Sequence, residues 1–319
     1  MFEVETLSSA LIHRRRQMAE VNATPDGKAL PHPAPRAPRI FADTAKIDEI
    51  RPLFESGIVN GVTTNPTLLK QAGATSWEDA KRLLVDILRL VDPHPVSLEL
   101  TKLKEAGMVG QAEELAALGP NAVIKVAVGG YAAVDKSLDP HTGLKVIHRL
   151  WEKDIKTNAT LVFNSTQAFW AANAGASYVS PFLGRLADYL YKNDHPERPP
   201  GNSLYFIEDH KDSQGDQHTS NTEYVASGGA RKDAGVRLIR EIAAIFANYG
   251  VHTEILAASV RNSSQLSELL LAGADILTVP AAILMRVADH PLSDAGMVSF
   301  DEDAKAFTAG TQGGPQDRS

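Results

Sequence analysis

From residue 39 to residue 288, short apolar runs of strand length alternate with stretches whose apolar residues recur at helical spacing, and the cycle repeats eight times. The strand-like runs are 39–44, 58–64, 96–100, 121–128, 155–163, 176–182, 253–258 and 274–279. The helical stretches are 45–56, 77–91, 109–118, 142–153, 166–173, 233–249, 263–271 and 281–288. Eight β-α units in roughly 250 residues are what a (β/α)8 barrel requires. A doubly wound open sheet is the weaker alternative, because no G-x-G-x-x-G or phosphate-binding loop opens any helix. The expected fold is therefore α/β, a (β/α)8 (TIM) barrel, with its chemistry at the C-terminal ends of the strands.

Two regions stand outside this rhythm. Residues 1–38 combine a short amphipathic stretch (Leu7, Leu11, Ile12) with five prolines between 22 and 38, a linker composition that reads as an N-terminal extension. Residues 190–231 follow the sixth strand and are rich in Gly, Ser, Asn and Asp with little apolar periodicity. That insertion is expected to be either a loop or partly helical lid over the catalytic face, or a solvated excursion. The barrel proper is expected over 39–303, and 304–319 reads as a C-terminal tail.

Composition excludes several functions. The net charge of −7 and the 6% aromatic content leave no basic face or stacking platform, so nucleic acid is not an expected partner. The chain has no cysteine, which removes disulfides, thiolate catalysis and Cys-ligated metal sites. His195, His210 and His218 match no ligand spacing, so no metal or cofactor is expected. No apolar run approaches the roughly 18 residues that span a bilayer. Glu3 and Glu5 precede any apolar run, unlike a secretory signal. The expectation is a cytoplasmic protein with no membrane partner.

The fourth strand-like run, Asn121-Ala122-Val123-Ile124-Lys125-Val126-Ala127-Val128, holds one lysine among apolar residues. A strand buried on both faces rarely carries lysine. Lys125 either snorkels to a strand end or pairs with a carboxylate, or it is an amine kept partly neutral so that it can attack a carbonyl. Polar residues at or just beyond the other strand ends converge on the same rim: Asp43, Thr63, Asn65, Glu99, Asn158, Thr160, Ser180, Arg185, Ser259 and Arg261. A Schiff base on Lys125 needs groups to shuttle protons and a group to hold the charged end of a substrate. Asp43 and Glu99 suit the first task. Arg185, Ser259, Arg261 and the helix starting near Ser263 suit an anion such as phosphate. Each has a structural alternative: Asp43 as a helix cap, Thr64-Asn65-Pro66 as a turn, Asn158 as a satisfied amide, each arginine as a surface ion pair.

Taken together, Phe41-Ala42-Asp43-Thr44, Gly61-Val62-Thr63-Thr64-Asn65-Pro66-Thr67, Ile124-Lys125-Val126, Asn158-Ala159-Thr160-Leu161-Val162-Phe163, Val179-Ser180-Pro181-Phe182-Leu183-Gly184-Arg185 and Ala257-Ala258-Ser259-Val260-Arg261-Asn262 closely resemble the transaldolase family, including its fructose-6-phosphate aldolase branch. The likeness runs in order from about residue 39 to 290. It implies a metal-free class I aldol mechanism with Lys125 as the Schiff-base lysine. It further implies Asp43 as the acid/base for carbon-carbon cleavage, and Glu99 with Thr160 as holders of a catalytic water. Asn65 and Asn158 would contact a dihydroxyacetone unit in a pocket lined by Thr63 and Ser180, and Arg185, Ser259 and Arg261 would bind phosphate. Glu99 and Phe182 resemble transaldolases proper, whereas the aldolase branch has Gln and Tyr there. A tyrosine hydroxyl in that pocket can assist proton transfer to the three-carbon unit, and Phe182 cannot. The expected activity is transfer of a dihydroxyacetone unit between sugar phosphates in the pentose phosphate pathway. An aldolase-type lyase and a non-catalytic sugar-phosphate binder are the alternatives. The sequence does not choose among monomer, homodimer and larger ring, so homo-oligomerisation stays open.

Overall fold

A computed structural model describes residues 38–194, 233–261 and 264–309. The stretch read as amphipathic in 1–38, most of the 190–231 insertion, and His195, His210 and His218 lie outside the described residues. Eight parallel strands close into a barrel in sequence order: β1 (Arg39–Asp43), β2 (Val62–Thr63), β3 (Val96–Glu99), β4 (Ala122–Ala127), β5 (Thr157–Val162), β6 (Tyr178–Pro181), β7 (Glu254–Ala257) and β8 (Ile276–Val279). Pairing of β8 with β1 completes the ring. Twelve described helices accompany them: α1 (Ile47–Glu55), α2 (Pro66–Gln71), α3 (Trp77–Val91), α4 (Glu105–Ala116), α5 (Tyr131–Val134), α6 (Thr142–Trp151), α7 (Ser165–Asn173), α8 (Leu183–Asp194), α9 (Ala234–Tyr249), α10 (Ser264–Ala272), α11 (Ala281–Leu284) and α12 (Pro291–Ala309).

The helices start where the sequence supplies a cap. Ser76, Asn164 and Asp233 accept backbone N–H groups at the starts of α3, α7 and α9, and Gly250 ends α9 in the left-handed conformation. The apolar stripes of α3, α6 and α9 bury Leu84, Ile87, Val146, Ile147, Ile239 and Phe246 against outward residues of the strands such as Leu98, Ile124 and Val179. A second, separate cluster of Phe41, Val123, Tyr178, Leu256, Ala258 and Ile276 fills the barrel interior. Gly61 is required beside it, since a Cβ there would lie 2.6 Å from the Phe41 ring. Below that cluster Arg39 forms an ion pair with Glu254, and its guanidinium carbon lies 5.8 Å from the ring centroids of both Phe41 and Tyr178. The inner face therefore runs from a charged floor through an apolar layer to a polar rim.

Several elements differ from the sequence reading. A helix, α2, replaces the turn considered at 64–66, because Asn65 caps it and Pro66 occupies its first turn. The helix α8 directly follows β6 and takes in residues 190–194 of the stretch read as an insertion. The short helix α5 lies inside the β4–α6 connection. A further helix, α12, runs across position 303, and its Leu292, Met297, Phe300 and Phe307 are exposed. On β5 the register slips between Ala159 and Val162, with Leu161 at φ 56°. Thr160 keeps the inward parity of Asn158, and the bulge after it turns Val162, which would share that parity, into the outer core. Among the described residues no helix is long and apolar enough to cross a membrane.

Between α9 and α10, Glu268 is fully buried, and neither carboxylate oxygen nor the nearby buried Nε of Arg240 has a hydrogen-bond partner among the described residues. Burial pushes the Glu268 pKa up to about 7, against the pull of Arg240. The unfolded chain gives up this proton first, so from pH about 4.5 to about 7 the residue lowers stability as pH rises, by at most about 1.4 kcal/mol per unit. Glu268→Gln is expected to raise the thermal midpoint at pH 8 and to change it little at pH 4.5; scanning calorimetry at both pH values is the check.

Candidate functional site

Residues in register on neighbouring parallel strands point to the same side of the sheet. Asp43 pairs with Thr63, Thr63 with Ser97, Glu99 with Lys125, and Lys125 with Asn158. Closing the sheet brings these inward side chains from strands far apart in sequence into one cavity mouth. Lys125 is only 4% exposed; its Nζ lies 3.1 Å from Glu99 Oε2 and donates to the Thr64 carbonyl at 3.3 Å. An amine at that depth is tolerable because it has a carboxylate and a carbonyl to meet it. Lys125 therefore takes a carboxylate partner while remaining inside the barrel, rather than snorkelling out of it.

On β1 and β2, across β3 from the lysine, Thr63 Oγ1 donates to Asp43 Oδ1 at 2.7 Å and shares a short hydrogen bond with Thr278 Oγ1 of β8. Burial pushes the Asp43 pKa up, while the charge of Lys125 and the Thr63 hydrogen bond oppose the rise. The capping alternative for Asp43 does not hold. Thr44 Oγ1 accepts the Lys46 N–H at 3.2 Å and donates to Glu49 Oε2 at 2.6 Å, which leaves the Asp43 carboxylate to the interior.

Asn158 Nδ2 donates to Ser97 Oγ at 3.0 Å, and Ser180 Oγ donates to Asn158 Oδ1 at 2.6 Å. One residue pair higher, Thr160 Oγ1 is buried with no hydrogen-bond partner among the described residues. A buried hydroxyl is costly unless it is bonded, so this oxygen is a ready contact for a small polar molecule. Tyr131 in α5 closes the same corner; its hydroxyl donates to the Ala127 carbonyl at 3.0 Å, and burial and then the Glu99 charge push its pKa up. Asn65 differs from expectation. Its Oδ1 accepts the Leu68 N–H at 3.0 Å as the cap of α2, so only its amide nitrogen is left to meet a ligand.

The candidate anion end lies beyond β6 and β7. Phe182 stands between it and the lysine: Lys125 Nζ is 5.8 Å and the Arg185 guanidinium 5.1 Å from its ring centroid. Ser259 has φ 69°, and its carbonyl presses against Gly184, where a Cβ would sit 1.9 Å from that oxygen. Glycine is therefore required for the close approach, and it lets the Arg261 stem cross α8. Arg261 is not an open cation, since its Nη2 and Nε donate to Asp188 Oδ2 at 2.7 and 3.1 Å. The helix expected to begin near Ser263 is described from Ser264.

Ser97, Thr278, Tyr131 and Asp188 were absent from the sequence reading. Ser97 had a signal, since it shares the inward parity of Glu99 two residues on; Thr278 had none, because no rim residue of its strand marks the parity. Tyr131 and Asp188 had none, being fixed by the folding of a loop and a helix onto the rim. Among the described residues no group of three or more His, Asp or Glu is arranged to hold a metal.

A closed (β/α)8 barrel with a buried lysine and acids around its C-terminal mouth is the setting in which likeness to other proteins becomes informative. The family model for transaldolase/fructose-6-phosphate aldolase matches residues 40–313. A probable transaldolase of Prosthecochloris aestuarii is 37% identical over 273 residues, 84% of this chain and 98% of that protein. A probable transaldolase of Chlorobium chlorochromatii is 38% identical over 270 residues, 83% and 97% of the two chains. One from Thermoplasma volcanium is 37% identical over 267 residues, 84% and 95%. The chain belongs to the transaldolase/fructose-6-phosphate aldolase family.

Asn158→Leu is expected to leave the Ser97 and Ser180 hydroxyls buried without this partner and to cost about 2–4 kcal/mol of stability. Urea unfolding of the variant beside the parent measures it.

Proposed function

We propose that the chain is a transaldolase that moves a dihydroxyacetone unit from a ketose phosphate, sedoheptulose 7-phosphate or fructose 6-phosphate, to an aldose phosphate, glyceraldehyde 3-phosphate or erythrose 4-phosphate. The observation that carries this reading is a buried lysine amine with Glu99 at 3.1 Å, inside a ring that also holds a carboxyl of raised pKa at Asp43. In this reading Glu99 takes the ammonium proton and the free Lys125 amine adds to the C2 ketone of the donor. The resulting carbinolamine loses water, with Glu99 supplying the proton and Thr160 holding the water, to give an iminium. Asp43 then removes the proton from the C4 hydroxyl, the C3–C4 bond breaks into the iminium, an aldehyde leaves, and an enamine stays on Lys125. An acceptor aldehyde is attacked by that enamine, Asp43 returns its proton to the new alkoxide, and water releases the product. Raising the Asp43 pKa makes it a stronger base when ionised, which suits this role.

Phe182 supports transfer over release of free dihydroxyacetone. Its ring approaches Lys125 but offers no hydroxyl to protonate the enamine carbon. Membership of the transaldolase/fructose-6-phosphate aldolase family agrees with the same reading.

Borohydride added with fructose 6-phosphate is expected to leave a three-carbon adduct on the peptide containing Lys125, found by mass mapping. Lys125→Ala is expected to lower turnover by at least about 10³-fold with the barrel still folded by circular dichroism. No adduct in the parent chain would sink the Schiff-base reading. Free dihydroxyacetone accumulating without acceptor, at the coupled rate, would make the protein a lyase instead.

A further inference from the structure

Arg261 is held from its backbone as well as its guanidinium. Its N–H donates to Gln265 Oε1 at 2.8 Å, one turn ahead on α10. Gln265 is fully buried, and its Nε2 donates to Asp233 Oδ2 at 3.2 Å. Asp233, also buried, uses Oδ1 to accept the N–H groups of Gly235 at 2.8 Å and Val236 at 3.0 Å, capping α9. The Asp188 carboxylate on α8 completes the set by accepting from the guanidinium. Three helices thus meet at a single arginine.

The order of donors and acceptors in this chain of bonds is not interchangeable. Both Asp233 oxygens accept, so the face of the Gln265 amide turned toward it must be the NH2 group, and the carbonyl is forced toward Arg261. A carbonyl is what the Arg261 N–H needs. If the amide were reversed, two donors would face each other inside the protein. Asp233 therefore fixes the amide of Gln265, and Gln265 fixes the chain just after the positive-φ turn at Ser259 that launches the Arg261 side chain.

We propose that Gln265, oriented by Asp233, is a positioning residue for the anion subsite, holding Arg261 so that it meets the phosphate end of the substrate. The inference rests on the reading of Arg261 as a phosphate ligand given above. Arg261 already spends two donors on Asp188, so an arriving phosphate meets the remaining guanidinium N–H groups from one fixed direction. A loosened backbone at residue 261 would lose that direction and would leave the lysine end alone. The effect should follow the substrate's phosphate group.

The test is titration of the full chain with inorganic phosphate by calorimetry, with Gln265→Leu and Asp233→Asn beside the parent. Asp233→Asn keeps an oxygen to cap α9 but presents an amide nitrogen to Gln265 Nε2. Both variants are expected to weaken phosphate binding about tenfold, the scale of one or two lost hydrogen bonds. In turnover, the ratio of kcat/KM for fructose 6-phosphate to that for fructose should fall by a similar factor. Unchanged phosphate affinity in either folded variant, or equal losses with fructose and fructose 6-phosphate, would overturn the proposal. If Gln265→Leu does not fold, the Asp233→Asn result decides alone. A parent chain that fails borohydride trapping removes the transaldolase reading, whereas the calorimetric titration still tests Gln265.

Discussion

The arrangement depends on holding one amine inside a closed parallel barrel. Taking a lysine out of water costs several kcal/mol unless charge and hydrogen bonds meet it there. Glu99 on the neighbouring strand and the Thr64 carbonyl supply that compensation, and the register of β3 on β4 is what brings the carboxylate alongside. A slip of one residue between these strands would put Lys125 and Glu99 on opposite faces of the sheet and separate the amine from its carboxylate. The largely apolar layer of Phe41, Val123, Tyr178, Leu256 and Ile276 lies between this amine and the Arg39–Glu254 pair.

The rim is built from coupled side chains rather than isolated ones. Asp43, Thr63 and Thr278 form one run of hydrogen bonds, and Ser97, Asn158 and Ser180 form another. Each run crosses between strands, so the side chains are fixed by the barrel and not by flexible loops. Thr160, two residues beyond Asn158 on the same inward face, is a buried hydroxyl that these runs leave without a described partner. The helix layer treats the far end of the site in the same way. The Asp188 carboxylate and the Gln265 amide hold Arg261, and Gly184 gives it passage.

Much of this was legible in the chain. The eightfold strand-helix alternation pointed to the barrel, since eight β-α units in about 250 residues suit closure of an all-parallel sheet under a ring of helices. The lysine in β4 and the polar residues ending β1, β2, β3, β5 and β6 determined which rim positions to examine, since inward parity follows from a period of two. The short helices α2 and α5 and the long α12 were less legible, being local choices of capping and turn geometry or, in α12, a helix without a buried stripe.

What tertiary structure alone decided are the partners. The sequence offers Asp43 as a helix cap or as an interior acid, and it is the use of Thr44 for the helix start that frees Asp43 for the cavity. It offers Arg261 as an anion ligand, and only the convergence of α8, α9 and α10 reveals Asp188, Gln265 and Asp233 around it. Periodicity reports which way a side chain faces, because that is a property of one element. Hydrogen bonds between residues 32, 73 or 215 positions apart depend on how elements are brought together by closure, and no local pattern encodes that distance.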